Sequence, residues 1–152
     1  MNTQPIDPKR SQTNIEARIR TVRTLWLALL LSVVMYYVFT IFAGRPETLE
    51  RNDTMSLALL IVGVATVLVS FLVKKKLVNQ AIEHRQTLHV QQGYLVAWVM
   101  CEVAALLGLL DFFLTSHPHF YVLFIVAALG DLLHFPRREH FELASPNPGM
   151  QL

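Results

Sequence analysis

Residues Gly93–Leu114 read GYLVAWVMCEVAALLGLLDFFL, an almost wholly apolar run with a carboxylate, Glu102, near its middle and a second, Asp111, toward its end. The run is close to the roughly 20 residues that a helix needs to cross the hydrocarbon of a bilayer. A carboxylate at mid-depth costs roughly 2.5–3.5 kcal/mol even on an insertion scale, so Glu102 is a candidate functional residue by default. Three further apolar blocks surround this one, at about 24–43, 54–73 and 119–136, in a chain of 152 residues. Lipid offers no partners to backbone polar groups, so each block is expected to be a continuous helix. The expectation is an all-α integral membrane four-helix bundle forming a single domain over 1–152.

Composition agrees with that class. Hydrophobic residues make up 53% of the chain and charged residues only 16%, against about 25% charged in a typical soluble protein. All 13 Lys and Arg fall outside the apolar blocks. They gather before the first block (Lys9, Arg10, Arg18, Arg20, Arg23), after the second (Lys74, Lys75, Lys76, Arg85) and after the fourth (Arg137, Arg138). The positive-inside rule then puts both termini and the middle connection in the cytoplasm, an N-in/C-in topology in the inner, or cytoplasmic, membrane. About twenty polar residues precede the first block, so a cleaved signal peptide is not expected. Basic residues on one side of a chain with a net charge of only +2 suit anionic headgroups rather than nucleic acid.

The connections carry their own signals. Ile15, Ile19, Val22 and Trp26 recur at helical spacing and predict an amphipathic turn or two at the interface leading into span one. Flexible ends are expected over about 1–12 and 139–152. Gly44-Arg45-Pro46 stops the first helix, and Asp53 or Thr54 can cap the second. No Gly or Pro interrupts 74–92, so span two is expected to continue as a helix before turning near 83–87. Ser116-His117-Pro118 makes a tight hairpin between spans three and four, and Pro136 ends the fourth helix.

Small residues define the packing faces. Ala97, Cys101, Ala104 and Gly108 form a stripe on span three; Ser56, Gly63 and Ser70 form a row on span two. Such rows let helices approach closely, and here they predict that spans two and three pack as a hairpin. Glu102 lies about 100° around the helix from Cys101 in this stripe. Burial disfavours a charged carboxyl, so the neutral form is expected there. Three roles fit it: a packing hydrogen bond, binding and release of a proton or small cation, or pairing with a partner chain. Asp111 and Asp131 are further candidates for proton or ion binding, both expected near the interfaces with water or hydroxyl partners. Lys74, Lys75 and Lys76 read as a lipid-headgroup anchor.

Other chemistries lack their motifs. The six histidines show no His-x3-His pair with a carboxylate, and Cys101 stands alone, so neither a metal site nor a disulfide is expected. There is no Gly-rich phosphate loop and no evident nucleophile with a base. No cofactor and no enzymatic activity is expected. Beyond the bilayer, a membrane-protein partner or a second copy remains open.

The stretch Ala97–Leu110, with Glu102 in a small-residue context followed by Ala104-Ala105-Leu106-Leu107-Gly108-Leu109, resembles the carboxylate helix of the proteolipid c subunits of rotary ATPases. Arg85-Gln86 is similar to the start of that family's polar loop. The resemblance covers spans two and three and implies that Glu102 is an ion-carrying carboxylate. Span two keeps only Gly63 of the family's glycine repeat, Thr87 stands where the loop has proline, and spans one and four are additional. What it implies is a c-like carboxylate hairpin inside a four-helix protein, not a rotor ring. A structural or assembly subunit without transport is the alternative.

Overall fold

The computed structural model describes residues 8–44, 52–115 and 117–144. The expectations for residues 1–7 and 145–152, the acidic linker 45–51 and Ser116 fall outside the described residues. Five helices follow in order: α1 Pro8–Ala43, α2 Asp53–Glu83, α3 Thr87–Thr115, α4 Tyr121–Leu133 and α5 Arg138–Leu143. No strand occurs among the described residues. Three helices, α1, α2 and α3, are long and apolar enough to cross a membrane, and α4 is a shorter apolar helix.

The largest exposed side chains on these helices are apolar. Leu27, Leu31, Ile41 and Phe42 on α1, and Ile61, Leu68 and Leu72 on α2, all face outward. In water such an unbroken belt is untenable; in lipid it is the solvated surface. The chain is a membrane-embedded helical protein.

α2 and α3 pack along most of their length, as the small-residue rows predict. Ala97, Cys101, Ala104, Gly108, Ser56, Gly63 and Ser70 are all buried. The glycines, however, open space for α4 as well. A Cβ on Gly63 would collide with Leu123 of α4, and one on Gly108 would lie 3.0 Å from the Leu123 Cβ. Reciprocally, a Cβ on Gly130 of α4 would meet Cys101 Sγ at 2.8 Å and Val67 Cγ1 at 2.9 Å. Small residues thus seat α4 in the groove between α2 and α3, a second role that the pairing of spans two and three alone does not provide. The hairpin turn is a Schellman motif: Gln86 N–H donates to Ala81 O at 2.9 Å and Arg85 N–H to Ile82 O at 3.1 Å. Arg85 takes the left-handed position at φ 51°, where glycine is usual.

Several boundaries differ from the sequence expectations, each for a visible reason. α1 starts at Pro8, so residues 8–12 are helical; proline is well suited to a first helical turn. Ile19 and Val22 pack into a protein core with Val78, Val90, Tyr94, Trp98 and Phe141 instead of lying on the lipid interface. Only the backbone of Ile15 is described. Residues 139–143, expected to be loose, belong to α5 because Phe141 is wholly buried and stacks on Tyr94, with centroids 6.1 Å apart. The fourth helix ends at Leu133, short of the expected 136, and two indoles donate to carbonyls at that end. Trp26 Nε1 donates to Asp131 O at 2.8 Å and Trp98 Nε1 to His134 O at 3.2 Å. Phe135, preceding Pro136, is also disfavoured from continuing a helix.

Candidate functional site

Residues of α1 and α4 meet Glu102 of α3. Its carboxyl is 8% exposed and accepts a hydrogen bond at Oε1 from Ser32 of α1. Its other oxygen, Oε2, is buried with no hydrogen-bond partner among the described residues. Asp131 of α4 is fully buried and close enough to Glu102 for the two carboxyls to interact electrostatically. Asp131 was expected to reach interfacial water; instead α4 packs its C-terminal turn inward between Trp26 and Cys101. The Asp131 carboxyl lies beside the Cys101 thiol, yet neither of its oxygens is in hydrogen-bond geometry with a described group. Two buried carboxyls therefore lie near one another, with the Cys101 thiol beside Asp131 and three of their oxygens outside hydrogen-bond geometry among the described residues. An unpaired buried polar atom costs about 1–3 kcal/mol, so such a cluster calls for a physical explanation.

A polar track leads from this pair toward α5. Ser70 of α2 neighbours Cys101, and its Oγ lies 2.7 Å from His134 Nε2. The Ser70 hydroxyl donates to Val67 O at 2.6 Å, which leaves His134 Nε2–H as the donor to Ser70 Oγ. His134 Nδ1 then carries the lone pair and accepts from Lys74 Nζ at 3.5 Å. This tautomer argues against Ser70 as a nucleophile, because His134 hands it a proton and takes none. Beyond Lys74, whose ammonium sits 4.5 Å from the Tyr94 ring centroid, the Tyr94 hydroxyl accepts from Arg137 N–H at 3.1 Å. It donates in turn to His140 Nδ1 at 2.7 Å. A cleft of about 320 Å³, lined by Phe71, Lys74, Lys75, Val78, Asn79 and His140, opens at this end. Burial, then the positive charges of Lys74 and Arg137, hold the His140 imidazole below its ordinary value.

Lys74 is thus turned into the protein, while Lys75 and Lys76 stay exposed as the anchor reading requires. Its aliphatic stem follows α2, and the Tyr94 ring supplies a cation–π surface in place of a headgroup. Asp111 is a separate case. Ser56 Oγ donates to its Oδ2 at 3.0 Å and Thr115 Oγ1 lies 2.6 Å from its Oδ1, so both oxygens are satisfied near the α3–α4 hairpin. That arrangement fastens α2 to α3 and does not join the Glu102–Asp131 pair. His117 approaches Asp53 at 3.7 Å in the same region. Among the described residues no three His, Cys, Asp or Glu side chains are arranged to hold a metal ion.

Sequence reasoning found Glu102 and named Asp131, with His134 close by, but did not pair the two acids, and it missed Ser32 and the inward turn of Lys74. One signal was present: Ser70 and Lys74 stand four apart and Asp131 and His134 three apart, spacings that put each pair on one helical face. Comparisons with protein-family models, with curated proteins and with solved structures found no match.

Proposed function

We propose that this protein binds and releases a proton, or a small cation in its place, at the Glu102–Asp131 carboxyl pair within the membrane. The observation that carries the reading is the pair itself: two buried carboxyls with Glu102 Oε2 and both Asp131 oxygens unpartnered among the described residues. Two adjacent carboxyls in low dielectric cannot both ionise cheaply, so one shared or exchanged proton is the natural state of such a pair. The track of thiol, hydroxyl and imidazole groups from Cys101 through Ser70 to His134 supplies stepping points toward the cleft near Lys74. The work is proton exchange, not covalent catalysis. The c-like resemblance of Ala97–Leu110 supports Glu102 as the ion-carrying member.

The charge distribution supports four crossings with both termini and the α2–α3 turn in the cytoplasm. α4 has 13 residues, about 20 Å of helix, so the flanking turn and the His134–Pro136 segment complete its crossing.

A second reading rests on the Ser32–Glu102 hydrogen bond, the one polar tie seen between α1 and α3 among the described residues. In that reading Glu102 only fastens α1, and the protein is a structural or assembly subunit. Dicyclohexylcarbodiimide, which attacks protonated carboxyls from the lipid phase, separates the two. Labelling of Glu102 that falls as pH rises or as Na⁺ is added supports exchange. Glu102→Gln keeps the acceptor for Ser32 but cannot release a proton. If that variant assembled with its partners and functioned as the wild type does, exchange would be ruled out and the fastening role kept.

A further inference from the structure

A second cleft, of about 480 Å³, lies between α1 and α5 and is lined by Ile19, Arg20, Arg23, Leu27 and Arg138, with Glu16. We propose that it binds the phosphate headgroup of an anionic phospholipid, with the acyl chains lying along α1. Three guanidiniums from two elements face one opening; Glu16 lines it as well, and Glu142 stands against Arg138 alone. Two of the three are held in place by neighbours. Arg23 lies over the Phe135 ring, 5.5 Å from its centroid, and Arg138 pairs with Glu142 one turn along α5. Guanidiniums present paired N–H donors that match phosphate oxygens, so a fixed cluster of them selects phosphate over zwitterionic headgroups of like size.

The place of the cleft decides for a lipid over a free phosphate. Its lining passes from arginines to Leu27, the first strongly exposed residue of the apolar face that continues through Leu31. A headgroup at the arginines therefore leaves its chains against that face, which a soluble anion cannot use. The occupant also bridges α1 to α5, adding to the Ile19–Phe141 core that joins them.

The test measures thermal stability and lipid retention of the full-length protein in detergent supplemented with phosphatidylglycerol, phosphatidylcholine or inorganic phosphate. Phosphatidylglycerol is expected to raise the melting temperature and to co-purify, with the other two near baseline. Retention should fall roughly fivefold for each arginine neutralised in Arg20→Gln, Arg23→Gln and Arg138→Gln, the equivalent of about 1 kcal/mol per basic contact. Arg85→Gln removes the same single exposed charge at the α2–α3 turn, away from the cleft, and should leave retention unchanged. Equal loss in that control, no preference for phosphatidylglycerol, or an equal shift with inorganic phosphate would each overturn the site. Should an arginine variant unfold, its retention is read at lower temperature, where folded wild type and variant are compared directly.

Discussion

At the scale of single residues, the weight falls on hydrogen bonds that close or fail to close. Trp98 illustrates the first case: its indole is the donor to His134 O, at the point where α4 ends inside the protein. Trp98→Phe removes the donor together with part of the ring, and is expected to cost at least about 1–3 kcal/mol in a reversible unfolding measurement. Trp98 is 1% exposed, so water cannot easily replace the indole. His140 gives a pH prediction with a definite sign. Its imidazole is held below the ordinary histidine value of about 6.5 by burial and by Lys74 and Arg137. The unfolded chain therefore takes up the proton first as pH falls. Stability is complete above about pH 6.5 and declines below it. His140→Gln, which keeps a partner for the Tyr94 hydroxyl, should flatten that decline in pH-dependent melting curves.

At the scale of elements, close approach and turn geometry do the sorting. Gly130 faces the thiol of Cys101 and the stiff branched side chain of Val67, at 2.8 and 2.9 Å from where a Cβ would stand. Gly130→Ala should push α4 out of its groove and cost about 1–3 kcal/mol, the usual range for overpacking. Gly63→Ala should be milder, since the tip of the Leu123 side chain can swing aside. Arg85 occupies the left-handed position of the α2–α3 turn, so Arg85→Gly is expected to stabilise the protein by about 0.5–1 kcal/mol. The helices themselves were legible from the apolar blocks, because backbone satisfaction in lipid leaves no alternative to a helix. The turn near 83–87 was legible from the uninterrupted helical pattern before it. The end of α4 was not, since it depends on indole donors from α1 and α3, far away in sequence. Nor was α5, whose buried apolar anchor is Phe141; the site that buries it is built by α1, α2 and α3.

At the scale of the whole molecule, four helices enclose a carboxyl pair inside an apolar exterior. Glu102 stood out in the sequence because a lone acid in an oily run is costly. Its meeting with Asp131 could not be read, because it depends on how α4 is rotated and how deep it sits, and those follow from glycine contacts in three dimensions. The proposed topology predicts that, in a Cys101→Ser background, a membrane-impermeant maleimide applied outside labels a cysteine placed at His117. One placed at His84 should react only after the membrane is opened. The most direct test of proton exchange at the pair is the carboxyl stretch in infrared spectra of the protein in lipid nanodiscs during a pH titration. A carboxyl band that comes and goes reversibly with pH, and whose Glu102 component disappears in Glu102→Gln, is expected. A wild-type spectrum with no titrating carboxyl, or one that Glu102→Gln leaves unchanged, would contradict the proposal.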